Sequence, residues 1–502
     1  MSALSRTFMV TSTQNVLLAG LVATAIGTAL TSYLLAERPA APGEIHELGG
    51  FWLPNAWSFF TRRYDFVRDN FRRTRQKLFQ FRVLQHRVIA SSGEDARKAF
   101  FGEKSLNLGD GYKILLGGGP DLAEINIDTE GMDQDAHFSR QLLTIMSKDR
   151  LQDVFPSLLS DVDKFIQPWG TQGSIDPFIE IFKLVFQLTV RMATCSELAD
   201  DLGKVAQLSD LYLMLEKGST PAAILLPWFP SPARKIREKA TAALFGMLYH
   251  YVELRRNATV PSSDAIDLLL SDGTPTEVIV GFILRTIFAG VLNSGVNACW
   301  SLIYLGMNPT WKEKSTAEVR ALLEKYPSSN SDPLHKRLAS IPVTAWEEEM
   351  PVAEAVIRET LRLVMGGVAL RRNLEHELRI GAQTVARGDF LAYSLADVHF
   401  DENIYPEPAK FDPGRYEAGR EEDKNTPFGY LGWGAGRHPC TGMKVAKLEM
   451  KAVMALFLAG FEYEVVDSAG RLMERMPEID RNDLHLARPL QPCNIKFKRT
   501  EA

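Results

Sequence analysis

The chain has 502 residues, 45% of them apolar and 24% charged, with a formal charge of −5. That is the composition of an ordinary globular protein with a large core, and its slight acidity excludes the basic excess of a nucleic-acid binder, so no nucleic-acid partner is expected. The four cysteines, Cys195, Cys299, Cys440 and Cys493, fall in no paired spacing, which argues against a zinc site or disulfide framework and for a reducing compartment.

Val16 to Leu35 is an uncharged run of 20 residues, long enough to cross a bilayer as a helix. It is too long for the apolar part of a signal peptide and no small-residue cleavage site follows; a cleaved signal on a secreted protein is the competing reading. "RPAAPGE" then reads as a stiff polar hinge, followed by the arginine-rich "TRRYDFVRDNFRRTRQK". The positive-inside rule places the rest of the chain in the cytosol. The expected organisation is a membrane anchor over 1–36 and one large domain over 37–502. "NAT" at 257–259 is a glycosylation acceptor pattern that a cytosolic domain leaves unmodified.

From Trp57 helical patterning dominates, broken by the strand-like runs "FQFRVLQHRVIA" and "FEYEVV". The loops "VPSSDA" and "KYPSSNSDPLHK" lack the length of interdomain linkers, and no repeat or low-complexity tract is present. The expected fold class is mainly α with small β-sheets. One helix stands out, "TPTEVIVGFILRTIFAGVLNSGVNACWSLIYLG". Thr274 and Glu277 predict a capping box with Pro275 at the first helical position, and Gly306 and Pro309 mark the end. It is apolar nearly all round and so predicted to be buried. A second membrane span competes, but Arg285, Asn293 and Asn297 interrupt the apolar surface and favour a soluble core.

Near the C-terminus "GWGAGRHPCTGMKVAKLEMKAVMALFLAG" sets Cys440 among glycines and basic groups. A lone cysteine is ordinarily an inert core residue. Here Gly434, Gly436 and Gly442 remove side chains where backbone must approach a bulky group, and Arg437 and His438 offer donors to carboxylates. A helix predicted from about Thr441 carries Val445, Leu448, Ala452, Leu456 and Ala459 on one stripe. Its first N–H groups are expected to lower the thiol pKa and hold a thiolate. A flat, anionic, metal-bearing group on a thiolate describes haem (iron protoporphyrin IX), with Cys440 as the metal ligand. Lys444, Lys447 and Lys451 recur at helical spacing and so share one basic face, read as a docking surface for a partner or as an ordinary solvated helix side.

At this point the sequence resembles the cytochrome P450 family, from about Trp57 to its end. "WGAGRHPCTG" looks like the family's haem loop, with Trp433 where phenylalanine is usual and His438 where arginine is usual, Arg437 lying one step earlier. The "GRHxC" form resembles the sterol demethylase branch. "ETLR" supplies Glu359 and Arg362, and "FDPGRY" supplies Arg415; the resemblance implies a buried network of the three. "IYPEPAKF" also fits. Propionate partners implied are His438 or Arg437, Arg140 in "HFSRQLL", and Arg371 or Arg372, with Arg372 preferred. The usual tryptophan four residues before Arg140 is Ala136.

In the long helix "FAGVLNSG" occupies the family's oxygen-activating segment, with Ala289 and Gly290 matching. The family's acid and threonine are replaced by Leu292 and Asn293. Leucine relays no proton, and an asparagine amide hydrogen-bonds without being an acid. Asparagine here resembles the cholesterol 7α-hydroxylase and prostacyclin synthase branch, which holds both monooxygenases and an isomerase. The resemblance implies a membrane-anchored enzyme of eukaryotic, fungal-like type in the endoplasmic reticulum. It would oxidise a hydrophobic, sterol- or terpenoid-like molecule with O2 and electrons from NADPH-cytochrome P450 reductase. The alternatives are an isomerase or dehydratase acting on a peroxide without external electrons, and a non-catalytic haem- or lipid-binding protein. The "LGDGYKILLGGGPDLA" loop, Phe288, Leu292 and the "MGGVAL" turn are the expected substrate lining.

Overall fold

The structure is a computed structural model that describes residues 41, 43–115, 134–218, 220–225, 231–329, 331–483 and 486–500. The expected anchor and the second half of the "LGDGYKILLGGGPDLA" loop lie outside these residues; the first half forms the helix Leu108–Leu115.

The two strand-like runs pair as alternation demands. "FQFRVLQHRVIA" is a hairpin, Leu78–Val83 against His86–Ser91, with Leu78 opposite Ser91 and Val83 opposite His86. This hairpin joins a six-stranded sheet whose order is His46–Glu47, Leu78–Val83, His86–Ser91, Phe390–Ser394, Val368–Asn373, Leu106–Asn107. "FEYEVV" lies in the strand Phe461–Asp467, paired with Cys493–Arg499, which in turn pairs with Gln172–Ile175. Buried faces of the first sheet carry Phe79, Phe81, Val88, Phe390 and Ala392.

The helical body surrounds one element, the long helix Thr276–Met307. Its 32 residues span about 48 Å. It packs against the helices Pro177–Ala193, Pro232–Arg256, Pro351–Val364 and Met443–Gly460. Trp300, Ile303 and Leu305 are completely buried. The helix is long and apolar enough to cross a membrane, yet it is the centre of this core, which sets aside the second-span reading.

Two local expectations change. The helix begins at Thr276 with Pro275 as an extended N-cap, and no capping side chain bonds there. Pro275 itself takes the extended cap position, so the helix starts one residue later than expected and Thr274 falls outside it; its hydroxyl accepts from Gln141 Nε2 at 3.4 Å. Gly306 lies inside the last turn rather than beyond it. A Cβ there would stand 2.7 Å from Val465 Cγ2, so this glycine lets the helix approach the Phe461–Asp467 strand.

Candidate active site

The cysteine loop is held from behind by backbone. Gly434–Ala435 pairs with His438–Pro439 in a miniature hairpin, and Cys440 N–H donates to the Trp433 carbonyl at 2.7 Å. At Gly436 φ is +63°, and a Cβ would stand 1.9 Å from the Phe101 carbonyl oxygen. The helix Glu94–Gly102 therefore clamps the loop, with Arg437 N–H donating to the same carbonyl at 3.1 Å. Cys440 is exposed, whereas Cys195, Cys299 and Cys493 are buried.

The thiol is not where the sequence placed it. Burial pushes Cys440 up, and a backbone bond from Gly442 pulls it down by less. The residue is open on one side, but protein crowds the sulfur and strips more hydration from a thiolate than the helix start restores. A coordinated metal reverses this balance, since a coordinating thiol is deprotonated outright.

Below the loop lies a buried ion network. Arg362 makes a fork to Glu359, Nε at 2.8 Å and Nη2 at 2.7 Å, and Arg415 Nε reaches the same carboxylate at 3.2 Å. Asp412 N–H and the Tyr416 hydroxyl also donate to Glu359, both at 3.1 Å. Glu359, Arg362 and Arg415 are 0–1% exposed, so the three are joined where desolvation makes pairing obligatory. Arg415 also binds Glu422 at 2.8 Å.

One residue the sequence did not mark ties this network to the loop. Arg362 Nη1 donates to the His399 carbonyl at 2.6 Å, and Leu431 N–H, at the loop's entry, donates to His399 Nε2 at 3.0 Å. Burial pushes His399 down to about 3, so its ring is neutral and free to accept. A single histidine in "DVHF" has no pattern of its own, and only the fold reveals its contacts.

The opposite wall is the middle of the long helix. Apart from its ends, exposure along this helix is confined to Arg285, Phe288, Ala289, Gly290, Leu292 and Asn293. Asn293 Nδ2 donates to the Ala289 carbonyl at 3.2 Å, which leaves Oδ1 as an acceptor on the open side. Asn297 Nδ2 donates to the Asn293 carbonyl at 2.7 Å. Behind Gly290, a Cβ would stand 3.2 Å from Thr189 Cγ2. The Thr189 hydroxyl donates to Glu449 Oε1 at 3.5 Å, and burial pushes Glu449 up to about 8. Neither Thr189 nor Glu449 stood out in the sequence.

The remaining basic residues separate. Arg371 and Arg372 point to opposite faces of their strand. Arg371 is 4% exposed, lies over the Phe100 ring and donates to the Leu370 carbonyl, with its pKa pushed down by burial. Arg372 is half-buried and meets Asp110 at 3.4 Å. Arg140 is exposed on the helix Gln134–Ile145, as are Arg437 and His438 on the loop. The lysine face is corrected: Lys444 is exposed, Lys447 pairs with Glu354, and Lys451 is buried, donating to the Trp346 carbonyl at 2.8 Å. The helix dives into the core along its length, so a shared face need not be a solvated one.

Arg371 Nε, Arg372 Nε, Trp433 Nε1 and His137 Nε2 are buried without partners among the described residues. Buried donors of this kind require acceptors. With the exposed thiol on its glycine-built loop and the open helix face, these residues fit haem, whose carboxylates would take donors and whose iron would take the thiolate.

A haem-thiolate enzyme is the class this arrangement defines. The family described as "Cytochrome P450" matches residues 49–486, and the chain belongs to it. It is 28% identical to "Cytochrome P450 monooxygenase AacuE" of Aspergillus aculeatus, over 89% of this chain and 90% of that one. It is 26% identical to a "Sterol 14alpha-demethylase" of Mycolicibacterium vanbaalenii, over 84% and 90%. The solved "Retinoic acid bound cyanobacterial CYP120A1" matches with a TM-score of 0.71 at 21% identity, over 93% of this chain and all of that one. The chain is thus a cytochrome P450 monooxygenase that uses haem on a cysteine thiolate. The rearranging alternative is not favoured by these relatives.

Proposed function

We propose that the protein inserts oxygen into a hydrophobic small molecule, with electrons from NADPH-cytochrome P450 reductase and an N-terminal anchor over 1–36 in the endoplasmic reticulum membrane. The catalytic domain, 37–502, would then be cytosolic. The observation that carries the reading is the pairing of one exposed thiol, in a loop only glycine can build, with the one open stretch of a buried helix.

Haem bound to Cys440 supplies oxygen activation, with the thiolate pushing electron density to favour O–O cleavage. The chain's own residues hold and aim it. Gly434 and Gly436 let the loop fold tightly on itself and against the Phe101 carbonyl, and the network of Glu359, Arg362 and Arg415, through His399, fixes the loop that presents the sulfur. For the propionates we prefer Arg371 to Arg372: its buried guanidinium has no carboxylate partner among the described residues, whereas Arg372 already meets Asp110. Arg437 and His438 serve from the loop, and Arg140 from its helix. With no acid at 292 or 293, Asn293 Oδ1 holds an ordered water that passes a proton along the Ala289–Gly290 stretch. Lys444, exposed just after the loop, is offered to a redox partner.

The test is the reduced carbon monoxide difference spectrum of the purified protein. The wild type should show the thiolate band and Cys440→Ser should lose it. A thiolate band that survives the substitution would overturn the assignment of the ligand.

A further inference from the structure

Glu449 is a buried acid with no part in holding the cysteine loop. Its helix, Met443–Gly460, runs from that loop into the core, and Glu449 is 2% exposed there. Its neighbours one turn away on the helix are apolar: Val445, Ala446, Ala452 and Val453. Among the described residues no cation answers it. Lys447 and Lys451 turn to Glu354, Arg191 is held by Asp161 and Asp200, and Arg150 donates to the Ile145 and Met192 carbonyls. Arg285 is the one charged side chain of the long helix between Glu277 and Met307, and neither it nor the others act on Glu449. A carboxyl taken out of water with no cation beside it keeps its proton, as the rise to about 8 reflects.

The one polar side chain that meets this acid leads toward the open stretch of the long helix. Thr189 Oγ1 stands 3.5 Å from Glu449 Oε1 and 3.8 Å from where a Cβ on Gly290 would lie. The hydroxyl thus sits between a buried acid and the one residue of that stretch without a side chain. Gly290 is half-buried, and Ala289 and Asn293 beside it are exposed. Gly290 and Asn293 are three residues apart and so lie on neighbouring parts of one face. The stretch itself carries no acid, since Leu292 and Asn293 are both unable to give a proton.

We propose that Glu449 is the proton reserve of the oxidation site, passing its proton through Thr189 and past Gly290 to the water that Asn293 holds. The inference rests on the reading of Asn293 as the residue that orders this water. Glu449 gives its proton to the Thr189 oxygen, and the hydroxyl's own proton moves to water at Gly290 and on to the water at Asn293. The carboxylate left behind regains a proton by the reverse route when the cavity is open to bulk water, and no electrons move. A hydroxyl suits the middle place because it donates and accepts at once. Glu449 touches neither substrate nor haem on this account and acts through Thr189.

The test compares the full-length, haem-loaded wild type with Glu449→Gln, Glu449→Asp and Thr189→Val. The first readout needs no turnover: infrared difference spectra between acid and alkaline buffers, in H2O and D2O. The wild type should show the carbonyl stretch of a neutral buried carboxyl, fading with a midpoint near 8, and Glu449→Gln should lose it while Thr189→Val keeps it. The second readout is the ratio of water to hydrogen peroxide formed from O2, with NADPH, reductase and no added substrate. That ratio should fall about tenfold or more in Glu449→Gln and in Thr189→Val, and Glu449→Asp should restore part of it. In the wild type it should fall as pH rises through about 8, and in both variants that dependence should be gone. A wild type without the titrating carboxyl band, or a ratio and pH profile unchanged in Glu449→Gln, would overturn the proposal. If Glu449→Gln fails to retain haem, Thr189→Val decides alone: a lowered ratio with the carboxyl band in place supports the route, and an unchanged ratio sinks it. A wild type without the carbon monoxide band would instead defeat the haem-thiolate reading, and this inference with it.

Discussion

The two walls of the site are built on opposite principles. On the cysteine side the buried charges of the ion network are answered: Glu359 alone takes five donors, from Arg362 twice, Arg415, Tyr416 and the Asp412 backbone. On the long-helix side Asn293 spends its donor on its own helix and keeps an acceptor open, and no carboxylate lies within the exposed window. A saturated network has one low-energy arrangement and fixes a ligand. An unsaturated wall takes its remaining partners from water and substrate. The protein has thus put rigidity where the metal is held and adaptability where molecules must differ.

The comparison breaks most visibly at the network. Glu359→Gln removes the charge that two buried arginines share, and should cost about 3–5 kcal/mol. Thermal unfolding and haem content of the purified variant report it, and a variant with wild-type melting and full haem would show that the network is dispensable.

A second, intermediate effect depends on pH. Burial raises Glu449 to about 8, so the folded protein keeps a proton that the unfolded chain has released. Stability should therefore fall as pH rises from the ordinary glutamate range toward 8, by at most about 1.4 kcal/mol per pH unit. Glu449→Gln should flatten this limb in melting curves taken across pH. His399 acts with the opposite sense: its pKa is pushed down to about 3, so its contribution is present above about 6.5 and is lost as pH falls. A melting temperature highest between these two limbs is the expected wild-type profile.

The smallest effect sharpens the other wall. Asn293→Leu should continue to consume NADPH while product falls by about fivefold and hydrogen peroxide rises, the scale of one lost hydrogen bond to an ordered water. Asn293→Thr should keep appreciable turnover. Unchanged product yield per NADPH in Asn293→Leu would remove the water from the mechanism.

What the sequence revealed, and what it hid, follows the range of the forces. The hairpin at Leu78–Ser91 and the buried helix at Thr276–Met307 were legible because alternation and an all-round apolar surface are local patterns. The cysteine loop was legible because its glycines are required by backbone geometry at fixed offsets. His399, Thr189 and Glu449 were hidden, since each acquires its role from a partner on another element. The fate of Lys451 was misjudged because periodicity tells which residues share a face and nothing of how deeply that face is sunk, and the thiol direction because a helix start tells nothing of how closely protein crowds the sulfur. The capping box failed because the helix starts one residue later than the pattern implied, with Pro275 in the cap position.

The close approach of Gly436 to the Phe101 carbonyl also bears on biosynthesis. The two partners come from opposite ends of the described chain, and contacts of such sequence separation form late because loop closure must precede any reward. During translation the hairpin Leu78–Ser91 and the clamp helix emerge long before the cysteine does. The pocket can therefore seal only when synthesis is nearly complete, and a prematurely terminated chain presents no finished seat for iron. Cofactor retention becomes a report on whether the polypeptide has been finished and threaded home, a check the cell receives without a separate inspector.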